Sequence, residues 1–234
     1  MTELYRQSQT EVDGTSYALV RSSGGQKVLV VRGNVQGFEG ERQGEALICP
    51  LTSANAAALR SRLPWLRPTL LGLQPSFGFG DRLGLATPGH VRACKGVASL
   101  RPYYAQQSVR ENARTRRTPQ QVLDDAMWGL FQEGWRDPWG ADADHLKTPE
   151  EVDTFVAVGY TFYTVDPGEH VDNSVFRARP ATIVGKVQAL PWDVLEDTPR
   201  GMELRYLERF LDLGDSALTF DRLRLYRAAA KYGR

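Results

Sequence analysis

The chain has 234 residues, enough for one large domain or a domain with a small attachment, and its composition is ordinary for a globular protein: 41% hydrophobic, 24% charged. A formal net charge of +1 gives no electrostatic drive towards nucleic acid or an anionic membrane surface, and no apolar run reaches the ~18 residues of a membrane-spanning helix. The first fourteen residues are polar, with Glu3, Glu11 and Asp13, and lack the basic start and apolar core of a signal peptide. The two cysteines, Cys49 and Cys94, have no metal-ligand spacing, so a cytoplasmic protein with two free thiols is expected.

Residues 1–72 read as a small N-terminal α/β region. Tyr17 to Val20 and Lys27 to Val31 are β-prone runs separated by Ser22-Ser23-Gly24-Gly25, a hairpin signal. Ala46 to Cys49 suggests a further strand, and Ser53 is a candidate cap for a short helix ending near Leu63.

From Ser76 onwards the pattern is regular. Strand-like segments at 76–81, 100–107, 139–146 and 160–166 alternate with helices. Thr118-Pro119-Gln120-Gln121 and Thr148-Pro149-Glu150-Glu151 are capping boxes with proline at the first helical position. Thr87-Pro88 opens another helix through Val91 and Cys94. Strand, polar tip, capped helix is the grammar of consecutive βα units, in which chemistry sits at the carboxyl ends of the strands. The expected fold is therefore an α/β protein whose residues 73–234 form an incomplete (β/α) TIM-like barrel of about four βα units. Four more units at roughly 28 residues each need about 112 residues, more than residues 167–234 provide. Moreover, Pro199 to Leu211 and Thr219 to Lys231 both read as amphipathic helices. Truncation of a longer barrel is the expectation.

Several clusters carry candidate chemistry. In Gly140-Ala-Asp142-Ala-Asp144-His145-Leu-Lys147, Asp142 and Asp144 project to one side of a strand, and His145 joins them only if the strand is already turning. Carboxylate and imidazole suit Mn, Co, Ni, Zn or Mg-like cations, and an adjacent Asp and His can divide the work between proton acceptor and ligand. The plainer alternative is a helix-cap region bearing a surface histidine. Asp166, before Pro167-Gly168, ends the fourth strand and can meet a metal or a substrate hydroxyl; His170 and Asp172 can simply decorate a loop. Gln106 and Gln107 offer amides for sugar hydroxyls, and Arg110 can grip a carboxylate, although a polar loop with solvated arginines reads equally well. Lys147 lies just beyond the Asp–His pair. The glycines of Phe77 to Gly84 have the wrong spacing for a dinucleotide loop, so Gly78 and Gly80 are expected to serve close approach or a tight turn.

Taken together, Phe77 through His90, Ala105 through Glu111, Gly140 through Thr148 and Gly159 through Pro167 resemble, in order, signature stretches of the tagaturonate epimerase family. The resemblance spans roughly residues 75 to 175. It implies a TIM-like barrel and a divalent metal cofactor. It also implies interconversion of D-tagaturonate and D-fructuronate in hexuronate catabolism, with a small sugar acid as the partner molecule. Carried over by position, Asp144 would be the proton acceptor and His145 a metal ligand, with the acid partner and remaining ligands beyond the equivalent of Arg234. Three alternatives stand beside this: an aldolase or isomerase acting on another sugar, a sugar-acid binding module, and a non-catalytic half-barrel. Such a half-barrel would be completed by a complementing C-terminal polypeptide or a homo-oligomer.

Overall fold

The computed structural model describes residues 3–97, 99–207 and 209–233, and the chain divides into two compact units, Met1–Val165 and Asp166–Arg234. The first unit opens with short antiparallel strands: β1 (Glu3–Leu4), β2 (Thr10–Val12), β3 (Thr15–Arg21), β4 (Lys27–Arg32), β5 (Glu41–Gln43) and β6 (Ala46–Pro50). They form one sheet in the order β1-β3-β4-β6-β5, with β2 also paired to β3. The hairpin forms where the sequence places it, Arg21 facing Lys27 across the Ser-Gly turn. Helix α1 (Ser53–Arg62) follows, capped by Thr52, whose side chain accepts the Asn55 N–H, rather than by Ser53.

Next come β7 (Ser76–Gly80), α2 (Thr87–Cys94), β8 (Arg101–Ser108), α3 (Val109–Thr115), α4 (Pro119–Glu133), β9 (Gly140–Leu146), α5 (Pro149–Val158) and β10 (Phe162–Val165). All four strands anticipated from the periodicity are present and pair in parallel in the order β10-β9-β8-β7. Both capping boxes are formed, Thr118 with Gln121 and Thr148 with Glu151, and Gly134 and Gly159 end their helices in the left-handed conformation. Helix α3 was not anticipated. Its seven residues lie in the stretch read as a polar loop, and Ser108 caps it by accepting the Glu111 N–H.

The fold is therefore mixed α/β with a parallel sheet, and among the described residues that sheet is open, with β7 and β10 at its edges. No closed barrel is seen. Four strands are too few to close on themselves, since even small barrels need about eight. One core unites the unit: Leu29, Val31, Leu59 and Leu66 share a buried cluster with Tyr104, Leu130, Phe131, Trp139 and Ala143.

In the second unit, α6 (Pro180–Gln188), α7 (Pro199–Tyr206) and α8 (Arg222–Tyr232) gather Val175, Ile183, Val187, Met202, Leu225, Tyr226 and Ala230 into their own core. The helix expected over Pro199 to Leu211 stops at Tyr206. Beyond it, β11 (Phe210–Asp212) pairs with β12 (Ala217–Thr219) about a turn in which Asp212 accepts the Gly214 N–H. Exchange of ladder bonds across that turn outweighs the helical spacing of the apolar residues. No helix among the described residues is long and apolar enough to cross a membrane.

Candidate active site

The carboxyl ends of β7, β8 and β9 converge on a cleft of about 350 Å³, lined by Gly80, Arg82, Gln106, Gln107, Ser108, Glu111 and Asp144. Strand register explains which side chains meet there. Gly80 stands beside Gln106, Gln106 beside Asp142, and Ser108 beside Asp144. In parallel strands such neighbours share a face, so Gln106, Asp142 and Asp144 belong to one surface. Gly78 makes room for this row: a Cβ there would lie 2.7 Å from Gln106 Oε1, so the amide lies directly over the glycine backbone. That is the close approach expected of it.

Asp144 and His145 occupy the tip of β9. His145 has φ of 57°, left-handed backbone uncommon outside glycine, at the point where the β9–β10 register is interrupted between the Ala143–Tyr163 and Leu146–Val165 pairs. Its Nε2 lies 3.5 Å from Asp144 Oδ2, on a ring that is about half exposed. Behind them, Asp142 is only 5% exposed. It accepts a 3.2 Å hydrogen bond from Thr164 Oγ1 and another from Gln106. Burial, reinforced by the neighbouring Asp144 carboxylate, pushes its pKa up to about 6.

The other expected site residues are placed as follows. Gln106 and Gln107 line the cleft; Gln107 is 3% exposed and its Nε2 has no hydrogen-bond partner. Arg110 stands outside the lining and lies 3.3 Å from Glu111 Oε1. Lys147 is exposed on the way into α5, where its backbone N–H donates to Glu151 Oε2. Asp166 opens the second unit and accepts the Gly168 N–H at 2.8 Å.

Asp81, just past the end of β7, is a structural anchor. It is 7% exposed and accepts from the backbone N–H groups of Leu83, Leu85, Ala86 and Thr87 and from the Thr87 hydroxyl. Burial opposes its charge, but the bonds from Thr87, Leu85 and Ala86 outweigh burial and hold its carboxyl below the usual range. Arg117 completes the anchor, donating to the Asp81 carbonyl at 2.7 Å and to Asp125 at 2.6 Å.

The i, i+2 spacing of Asp142 and Asp144 already put both on one side of the strand. Arg82 and Glu111 carried no local signal: one lies in a glycine-rich stretch, the other in a run of charges.

The donor chemistry at the β9 tip, one imidazole beside one carboxylate, is of the kind first-row divalent cations take. Among the described residues, however, no group of three His, Cys, Asp or Glu side chains gathers to hold an ion.

A family model described as tagaturonate epimerase matches residues 5–234. A tagaturonate/fructuronate epimerase of Thermotoga maritima is 46% identical over 178 residues, 73% of this chain and 37% of the relative. Two crystal structures of a fructuronate-tagaturonate epimerase from Cohnella laeviribosi superpose with a TM-score of 0.87. One is native, at 33% identity, and one is complexed with one glycerol, at 34%; each match covers 99% of this chain and 47% of the other. The chain thus spans less than half the length of these relatives.

Proposed function

The chain belongs to the tagaturonate epimerase family, and from that premise we propose that it supplies one part of a metal-dependent epimerase interconverting D-tagaturonate and D-fructuronate in hexuronate catabolism. The observation that carries this reading is Asp144, at a strand tip, opening into one cleft with the Gln106 and Gln107 amides. The wider expectations go with it as proposals. The open parallel sheet is part of a TIM-like barrel. The acid partner and remaining metal ligands come from the portion of the relatives that this chain does not span, whether as continuing chain, complementing polypeptide or second copy. The buried thiols of Cys49 and Cys94 suit a cytoplasmic setting.

The two ketoacids differ at a carbon one removed from the position next to the ketone. The hydrogen there is not acidified by the carbonyl, so direct abstraction is disfavoured, and a retro-aldol route follows. The Asp144 carboxylate takes the proton of the hydroxyl on that carbon. The alkoxide electron pair becomes the aldehyde double bond, the adjacent carbon–carbon bond breaks, and its pair passes to the ketone side as an enediolate. The aldehyde turns its other face, the bond re-forms, and Asp144 returns the proton. Gln106 and Gln107 hold hydroxyl groups through this turn. A divalent cation, when bound, would stabilise developing oxyanion charge, and His145 is the residue of this segment that would hold it.

The test uses the complete enzyme carrying this segment. Asp144→Asn should abolish epimerisation followed by NMR while keeping the metal; His145→Ala should lose both. Labelled aldehyde fragment should exchange into product. Turnover surviving either substitution, or intact turnover with rigorous absence of cleavage and exchange, overturns the corresponding assignment.

A further inference from the structure

We infer that Arg82, poised by Glu111, is the residue that binds the carboxylate of an acidic sugar in this cleft, and so sets the preference for a sugar acid over a neutral ketose. The inference deepens the epimerase reading and rests on it for the identity of the acid.

Glu111 is a nearly buried carboxylate, and its Oε1 has three guanidinium groups around it: Arg110 at 3.3 Å, Arg82 at 3.6 Å and Arg114 at 3.8 Å. Each of the three side chains is about two-thirds exposed, whereas Glu111 is 9% exposed. One carboxylate thus holds three cations, none in a close bidentate pair, and the formal surplus is positive. A single buried acid does not neutralise such a group; it positions it. The donors left over point to a further anion, because a guanidinium offers five N–H groups in a planar fork suited to carboxylate.

Of the three arginines, only Arg82 lines the cleft that also contains Asp144. Gln107, 3% exposed and with an unpartnered Nε2, is also among the residues lining this cleft. The volume of about 350 Å³ falls at the small end of small-molecule sites.

The chemistry gives the subsite a purpose beyond affinity. In the retro-aldol route the carboxylate stays on the aldehyde fragment. That fragment must turn over without escaping, and a carboxylate held by Arg82 tethers it at one end while its carbonyl reorients beside Asp144. Arg82 is then a binding residue and Glu111 a positioning residue.

The experiment compares tagaturonate with tagatose, the neutral ketose bearing CH₂OH in place of the carboxylate, in the complete enzyme. Arg82→Gln should raise KM for the acid ten- to a hundredfold with a smaller effect on kcat. It should also lower the acid-to-neutral ratio of kcat/KM by a similar factor and increase release of the aldehyde fragment. Arg82→Lys should restore part of the loss, and Glu111→Gln should reproduce the KM effect more weakly. Calorimetric titration with the same two ligands reads the contrast without turnover. An enzyme that fails to epimerise tagaturonate yet binds it through Arg82 in preference to tagatose would overturn the epimerase reading and uphold the subsite. Equal losses for acid and neutral ligand, or no loss for either, would overturn the subsite while leaving the epimerase reading standing.

Discussion

Asp142→Asn isolates the cost of placing a second carboxylate behind Asp144. In the folded chain burial and the Asp144 charge raise the Asp142 pKa from 3.8 to about 6. Because the folded value lies above the unfolded one, the native state holds the proton more tightly. The associated stability is fully present below about pH 4 and is lost as pH rises through about 6. At about 1.4 kcal/mol per pK unit, the ionised side chain costs the native state at most about 3 kcal/mol. Asparagine has the same shape and cannot ionise, and its carbonyl can still accept from Thr164. The variant should therefore exceed the wild type by up to about 3 kcal/mol at pH 8 and converge with it near pH 4. Urea unfolding followed through the fluorescence of Trp128, Trp135 and Trp139, all buried in this unit, measures both curves. A difference that does not change with pH, or a variant less stable than wild type at pH 8, would refute the reasoning.

Asp81→Asn removes an acceptor from five donors and turns one oxygen into a competing N–H group; a loss of about 2–4 kcal/mol is expected. Its folded pKa is depressed, so the wild-type advantage is present above the unfolded pKa and shrinks as pH falls below it, the opposite sign to Asp142. Thr118→Ala and Thr148→Ala each break a capping box and should cost about 1 kcal/mol apiece in denaturant melts, a near-zero effect for both counting against the caps. A methyl group at Gly140 would fall on the Tyr103 ring, so Gly140→Ala should cost about 1–3 kcal/mol through overpacking, checked by thermal melts.

Much of the first unit was legible because its signals are local. A capping threonine and the residue three positions on write a helix start into four consecutive letters, and Thr118 and Thr148 do so. Alternation of strand, polar tip and capped helix located β7 to β10 to within a few residues. The Asp144–His145 pair falls at the end of one of these strands, as its place in the sequence implied.

What local pattern could not supply is pairing. Asp142 becomes a buried acid only because β8 and β9 register Gln106 beside it and β10 brings up Thr164. Glu111 is a surface charge in sequence, and the fold makes it the anchor of three arginines, one of them twenty-nine positions upstream. Asp81 shows the converse: a carboxylate just past a strand end is consumed by the turn it caps. Sequence by itself determined the alternation of strand and capped helix from β7 to β10 and the place of the Asp144–His145 pair near the end of β9, since neighbours along the chain fix those, but not α3 or the β11–β12 hairpin. Only the tertiary structure decided which carboxylates are buried, paired or free to act, since that depends on strand register and on groups brought together from distant positions.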